Sequence, residues 1–353
     1  MAGRIAVEEA DKAPAAAAGA SYASVSLFSI YIENNNGGWE ADVKNIHAVT
    51  GAFGYSGRYI ASRLLDERHE VITLTGSVDR QSELANKVKV FPLDFKRPDD
   101  LVEALDGVST LYNTYWVRFN HRLFKHTDAV TNSKTLFDAA KLAGVERIVH
   151  ISITNPSIES ALSYFRGKAE VELALENSGL PYAILRPAVL FGREDILINN
   201  IAWALRRSPV FGVFGDGSYR LCPIYVEDLA AAAIEYGKTG ENVTVDAVGP
   251  ETFTYRGLVE TIGRIIGANR PVVRIPSRLG WFMGRLIGTM HRDVMITMDE
   301  VRGLTADLLH VDSKPLGTTR LTEWARDHRQ NLGRHYTSEM ARRKDRRGAY
   351  RSN

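Results

Sequence analysis

From residue 45 onward, short apolar runs alternate with longer segments of helical period. Ile46-His47-Ala48-Val49 has the length and β-branched content of a buried strand. Residues 56–67 then place Ile60, Leu64 and Leu65 on one face, the spacing of an amphipathic helix. Residues 71–74, 88–91 and 110–112 read as further strands, 128–143 as a helix closed by Gly144, and 147–151 as a fifth strand. A helix over 164–177, stopped by Ser178-Gly179, leads to a sixth strand over 182–185 that runs into Arg186-Pro187. Strict alternation of strands and helices predicts a parallel sheet covered on both faces, wound by right-handed crossovers into a Rossmann-type, doubly wound α/β fold.

The alternation loosens after Pro187. Residues 191–219 are loop-rich, with a helix around 196–206, and 226–236, 243–248 and 254–266 read as helix, strand and helix. The expected organisation is a dinucleotide-binding domain over 45–190, to which 226–250 returns. A smaller, mostly helical lobe from 191–225 and 251–337 closes over the sheet's carboxyl edge on the substrate side. Residues 1–44, with the Ala15–Ala18 run, the serine-rich apolar stretch 21–32 and Asn34-Asn35-Asn36-Gly37-Gly38, read either as a disordered extension or as sequence upstream of the true start. Residues 338–353 are strongly basic and read either as a solvated end or as a segment that docks on an acidic surface such as anionic lipid or a partner protein.

Charge and composition narrow the classes. The 353 residues carry a net charge of only +2, which excludes nucleic-acid binding driven by the whole surface. A single cysteine, Cys222, excludes an internal disulfide and a cysteine-built zinc site, and it suits a reducing compartment. Glu8, Glu9 and Asp11 are wrong for a signal or transit peptide, and no apolar run reaches the roughly 20 residues of a membrane span. The expected location is cytoplasmic, with the amphipathic 279–290 segment and the basic end as routes to a membrane surface or a protein partner.

Two motifs carry the chemistry. Thr50-Gly51-Ala52-Phe53-Gly54-Tyr55-Ser56-Gly57 sits between the first strand and the first helix. Glycines there permit a tight turn, close approach of a pyrophosphate and close packing of helix on strand, while the helix N-terminus offers N–H groups to phosphate. Gly51, Phe53, Gly54, Tyr55, Ser56, Gly57 and Arg58 are therefore candidate cofactor residues. The second strand ends Leu74-Thr75-Gly76-Ser77 without the carboxylate that would select a free ribose, and Asp79 comes late. With Arg58 and Arg80 nearby, this favours NADP(H) over NAD(H). Thr75, Asp94-Phe95 after the third strand, Asn113-Thr114 after the fourth and Pro187 after the sixth are candidate cofactor-edge positions.

Tyr164-Phe165-Arg166-Gly167-Lys168 is the second motif. Its phenol and ammonium are four residues apart and share a helix face. A neighbouring ammonium favours the phenolate and would bring the tyrosine toward working pH, while the lysine can also hold the nicotinamide ribose. Ser152 or Thr154, just past the fifth strand, could donate to a substrate carbonyl. A tyrosine and lysine at this spacing also occur together on ordinary exposed helices.

With these motifs, the L-D-F at Leu93–Phe95, the R-P-A-V-L-F-G-R-E-D at Arg186–Asp195 and the V-E-D-L at Val226–Leu229, the chain resembles the extended or atypical short-chain dehydrogenase/reductase superfamily. The resemblance runs from about residue 45 to residue 249 and is strongest to the subgroup that contains the NADPH-binding accessory subunit of respiratory complex I and its bacterial relatives. It implies a bound nicotinamide dinucleotide, with Tyr164 and Lys168 as the catalytic-type pair. Ser152 lies only 12 residues before Tyr164, closer than the extended pattern, so the third member stays open between Ser152, Thr154 and neither. The expected function is an NAD(P)H-dependent oxidoreductase acting on a small carbonyl or alcohol. The alternatives are a non-catalytic NADPH-binding accessory or assembly protein, a sugar-nucleotide epimerase or dehydratase, and a redox-sensing regulator.

Overall fold

The computed structural model describes residues 45–349 except residue 291, together with an antiparallel pair upstream, β1 (Tyr31–Glu33) with β2 (Trp39–Ala41). The remainder of the expected N-terminal extension and the last four residues lie outside the described residues. From Ile46 on, β3 (Ile46–Thr50), α1 (Tyr55–Asp66), β4 (Glu70–Thr75), β5 (Lys89–Pro92), α2 (Pro98–Ala104), β6 (Val108–Asn113), α3 (His126–Leu142), β7 (Arg147–Ile151), α4 (Ser163–Glu176) and β8 (Tyr182–Pro187) follow in order. With β13 (Val243–Ala247) they form a seven-stranded sheet in the order β13-β8-β7-β6-β3-β4-β5. Every neighbouring pair in it is parallel, as expected from the alternation.

The order reverses at β3, which lies between β4 and β6. A crevice opens at such a reversal, outside the carboxyl ends of the strands, and ligands of this fold bind there. One face is covered by α1, through Ile60, Ala61 and Leu64, and by α6 (Val226–Lys238), through Leu229, Ala230, Ala233 and Ile234. The other is covered by α2, α3 and α4, with Leu101, Leu136, Phe137, Val171 and Leu175 buried. The α2 helix was not predicted. It is only seven residues long, although Pro98 at its start and Asp99-Asp100 in its first turn are proper start signals.

The second lobe departs from a mostly helical expectation. It holds α5 (Leu197–Arg207), α7 (Tyr255–Ile265), α8 (Ser277–Met290), α9 (Met298–Thr305) and α10 (Leu321–Asp327), but three strand pairs are woven through it. β9 (Val189–Phe191) pairs with β12 (Pro223–Tyr225) and β10 (Phe211–Phe214) with β15 (Val272–Ile275), both parallel, and β11 (Arg220–Leu221) pairs antiparallel with β14 (Phe253–Thr254). These strands are two to four residues long, too short to show a period of two.

The basic end is also not a solvated tail through residue 348. Its helix α11 (Glu339–Lys344) is capped by Ser338 and buries Met340. Arg80 Nη2 donates to the carbonyls of Arg342 (2.8 Å) and Asp345 (2.9 Å), which lie at the helix's carboxyl end.

Candidate functional site

The glycine turn is built for close backbone approach. Gly51 has φ +69°, and its N–H donates to Leu74 O at 2.9 Å, while Gly54 N–H donates back to Gly51 O at 2.7 Å. A Cβ on Gly57 would stand 2.4 Å from Gly51 O and 2.8 Å from its carbonyl carbon, so only glycine lets α1 lie against the turn. The helix is preceded by Gly54, which has no side chain to cap it. Its first-turn N–H groups and the positive end of its dipole therefore face the crevice without a side-chain acceptor. Turn and helix start fit a pyrophosphate.

The flanking candidates divide. Phe53 is buried in the core, so only its backbone belongs to the turn. Ser56 is half-buried on the first helical turn. The Tyr55 ring lines a cavity, its buried hydroxyl has no partner, and burial, with Asp195 adding, pushes its ionisation well up. Arg58 does not point at an open phosphate site: its Nη1 meets Glu194 Oε1 at 3.0 Å, and Tyr59 donates to the other oxygen of the same carboxylate at 2.5 Å.

Asn113 and Thr114 serve the turn from behind. Asn113 is fully buried; its Oδ1 accepts from Thr50 Oγ1 (3.1 Å) and Tyr115 N (3.1 Å), and its Nδ2 meets His150 Nδ1 at 3.1 Å. Thr114 donates from its amide to Thr50 Oγ1 and from its hydroxyl to Thr50 O. These bonds fix β6 to the start of the turn, so the Asn113 side chain is not presented to a cofactor. Thr75 is buried and accepts from Ser77 N, and Pro187 is buried with its carbonyl taken by Thr154 N. Asp94 is exposed and caps Lys96 N, while Phe95 packs on Tyr115 at 4.8 Å.

The tyrosine–lysine pair is on α4 as expected, but it is not a direct relay. Trp116, from the loop after β6, lies between the two groups: Lys168 Nζ stands 4.7 Å over its ring, and the Tyr164 ring meets its edge with centroids 5.8 Å apart. Gly167 makes room, since a Cβ there would touch Trp116 at 3.0 Å. Lys168 is buried and donates to Ile151 O at 2.7 Å. Burial lowers its ammonium from 10.5 to about 7, with Glu172 opposing. The Tyr164 phenol moves the other way from the expected one: burial raises it, with Glu300 and Glu339 adding and Arg118 opposing. Thr154 Oγ1 donates to Leu308 O at 3.0 Å and is thereby structural, whereas Ser152 Oγ is buried without a partner.

A cavity of about 670 Å³ opens beside Tyr164. Its wall is largely apolar, from Ile153, Leu162, Ile196, Phe211 and Leu309 among others, and reaches Gly280 and Gly284 on α8. Asp195, from the Arg186–Asp195 motif, and Arg118 and His126, which no motif flagged, supply polar points. Arg118 is held by Glu300 Oε1 (2.6 Å) and Met295 O (3.0 Å), which leaves its Nη1 buried without a partner. His126 Nε2 is likewise buried and unpartnered, with its ring stacked on Trp116 at 5.8 Å. Burial raises the Asp195 carboxyl to about 7 against backbone hydrogen bonds from Ile198 and Asn199.

Lys168 makes a prediction about stability. Its folded value near 7 is below the 10.5 it has when unfolded, so between those values the unfolded chain binds the extra proton. Stability from this group therefore grows as pH rises through that window and is lost again as pH falls through about 7. In Lys168→Met this rise is expected to disappear, read as the difference between the two chains in denaturant unfolding at about pH 7 and about pH 9.5. Equal pH slopes would show that the lysine is not desolvated.

The switch-point crevice, the glycine turn and the uncapped helix start define an NAD(P)-binding Rossmann domain, and an NAD(P)H-binding family model matches residues 51–199. The chain is 26% identical over 296 residues to the Arabidopsis thaliana mitochondrial NADH dehydrogenase [ubiquinone] 1 alpha subcomplex subunit 9, covering 78% of this chain and 74% of that one. It is also 26% identical over 231 residues to the photosystem II assembly factor Ycf39 of Cyanophora paradoxa, covering 65% and 71%. Among solved structures it is similar to Citrobacter sp. triphenylmethane reductase complexed with NADP(H), with TM-score 0.67, 22% identity and coverage of 80% of this chain and 99% of that one. Escherichia coli NADPH-dependent quinone oxidoreductase QOR2 complexed with NADPH gives TM-score 0.65, 21% identity and coverage of 81% and 100%. At these identities the structural matches establish the shared fold. Among the described residues no helix is long and apolar enough to cross a membrane, and no cluster of metal-ligating side chains is present.

Proposed function

We propose that this protein holds NADP(H) as a standing component and works as a cofactor-binding accessory or assembly protein. The observation that carries this is Trp116 seated on the Lys168 ammonium, which keeps the motif lysine from the Tyr164 phenol, and burial raises that phenol with Arg118 opposing only in part. The similarity to a complex I subunit and to an assembly factor supports the same reading. Leu279 and Phe282, exposed on α8, offer apolar surface to such a partner or to a membrane face. The strand-two ending Thr75-Gly76-Ser77, free of carboxylate, supports NADP(H) over NAD(H).

Bound at the turn, the dinucleotide would supply a hydride; the chain itself supplies the seat, the buried lysine and the apolar chamber. The expected result is that purified protein loaded with NADPH keeps its 340 nm absorbance through a panel of carbonyls and quinones. Steady oxidation by any member of the panel would sink the accessory reading.

A second reading, a reductase of lipophilic carbonyls, draws on the cavity beside Tyr164, whose apolar wall carries polar points at Arg118 and His126. In that case Tyr164→Phe would abolish the oxidation that the panel revealed. The same wall offers few donors for a sugar nucleotide, which gives the epimerase alternative less support.

A further inference from the structure

We infer that the C-terminal arm completes the cofactor site, and that Arg346 and Arg347 recognise the 2′-phosphate of NADP(H). The inference rests on the proposed seating of a nicotinamide dinucleotide at the glycine turn.

In this fold the adenosine ribose lies beyond the carboxyl end of the second sheet strand, where a carboxylate takes a free 2′-hydroxyl and a guanidinium takes a 2′-phosphate. Here that strand is β4, and its end carries neither group within Thr75-Gly76-Ser77. The two arginines that the sequence offers for this role are engaged elsewhere. Arg58 is bound to Glu194, and Arg80, buried, holds the carbonyls of Arg342 and Asp345.

The arm brings replacements from some 270 residues away. Arg342 Nη2 donates to Glu194 O at 2.6 Å, which anchors α11 beside the loop that also holds Arg58. Asp345 Oδ1 then accepts from Arg347 N (3.1 Å) and Gly348 N (2.7 Å), folding 345–348 into a tight turn. That turn lies on the loop after β4: Arg346 Nη1 donates to Gly76 O at 2.9 Å, and Gln81 N donates to Arg347 O at 2.8 Å. The Gly76 bond uses one of the five guanidinium N–H groups of Arg346, and both arginines are exposed. The Arg346 guanidinium at the edge of the ribose site, with exposed Arg347 next to it in the turn, suits a dianionic phosphate and adds nothing for a hydroxyl. The basic composition of the arm thereby acquires a specific use.

The test titrates NADPH and NADH separately into the full chain, Arg346→Ala, Arg347→Ala and the double variant, following cofactor fluorescence at two salt concentrations. Both side chains are exposed, so the variants should keep the parent's thermal unfolding midpoint, which is measured alongside. The double variant is expected to lose about 10–100-fold in NADPH affinity, with NADH changed by less than about twofold, and NADPH binding should lose most of its salt dependence. Arg346→Lys should restore part of the loss. Unchanged NADPH affinity, or equal losses for both nucleotides, overturns the assignment. Tighter binding of both would also overturn it, showing that the arm covers the site instead. A parent chain that binds neither nucleotide would refute the cofactor reading itself, an outcome distinct from a parent that binds both equally.

Discussion

A Gly57→Ala chain is expected to bind NADPH about a hundredfold more weakly than the parent. The added carbon would meet backbone atoms, Gly51 O at 2.4 Å and Gly51 C at 2.8 Å, and backbone cannot rotate aside as a side chain can. Either α1 moves away from the turn or the turn opens. Both displace the helix's first N–H groups from the position a pyrophosphate needs. Overpacking of this kind costs about 1–3 kcal/mol, and a binding site that depends on the distorted geometry bears most of it. Gly240→Ala is the matched control, since a Cβ there meets nothing within 4 Å, and it should bind as the parent does. Parent-like affinity in Gly57→Ala by calorimetric titration would mean that the turn is not the nucleotide's seat.

The second large effect concerns Glu194. Its carboxylate, 5% exposed, receives Arg58 on one oxygen and Tyr59 on the other, and its carbonyl receives Arg342 from the arm. One residue thus joins α1, the loop before α5 and the C-terminal arm. Glu194→Ala deprives the partly buried Arg58 and Tyr59 of a shared acceptor, and is expected to cost about 3 kcal/mol in denaturant unfolding. Glu194→Gln, which keeps the shape and one acceptor oxygen, should cost clearly less. If Glu194→Gln destabilises as much as Glu194→Ala, the lost charge accounts for the whole effect and the retained acceptor oxygen contributes nothing. Because Arg58 is half-exposed, part of its loss is recovered by water, which is why the expected cost lies at the lower end for a broken buried pair.

The parts of this protein that were legible beforehand are those written in local pattern. The strand–turn–helix around Gly51, Gly54 and Gly57 identifies itself because the same residues shape the backbone and open the site. The run of β-strands is legible because strands buried on both faces are continuously apolar. What sequence could not show is what arrives from a distance. The spacing of Tyr164 and Lys168 places them on one face of α4, but nothing in it says that Trp116 inserts there, or that Gly167 leaves the room. Asn113 sits at the expected edge of the sheet, yet its amide is spent on Thr50, Tyr115 and His150. Arg58 directly follows the last motif glycine and reads as a phosphate ligand until Glu194 is placed beside it. The arm is the extreme case. Its charge argues for solvent, and only its distant partners, Arg80, Glu194 and Gly76, reveal that it is part of the fold.

The return of β13 to the sheet sets an order of events during synthesis. When the ribosome has released β8, that strand still has one bare edge, and the part of the sheet face that α6 covers, over β6, β7 and β8, lies open. The edge partner and the covering helix α6 are encoded beyond the first segment of the second lobe, so the nascent chain must carry an open strand and an uncovered apolar sheet face until residue 247 has emerged. Chaperone dependence should therefore be concentrated in that interval. For the same reason, a gene fragment cut after residue 190 would leave β8 without its edge partner and the sheet without α6.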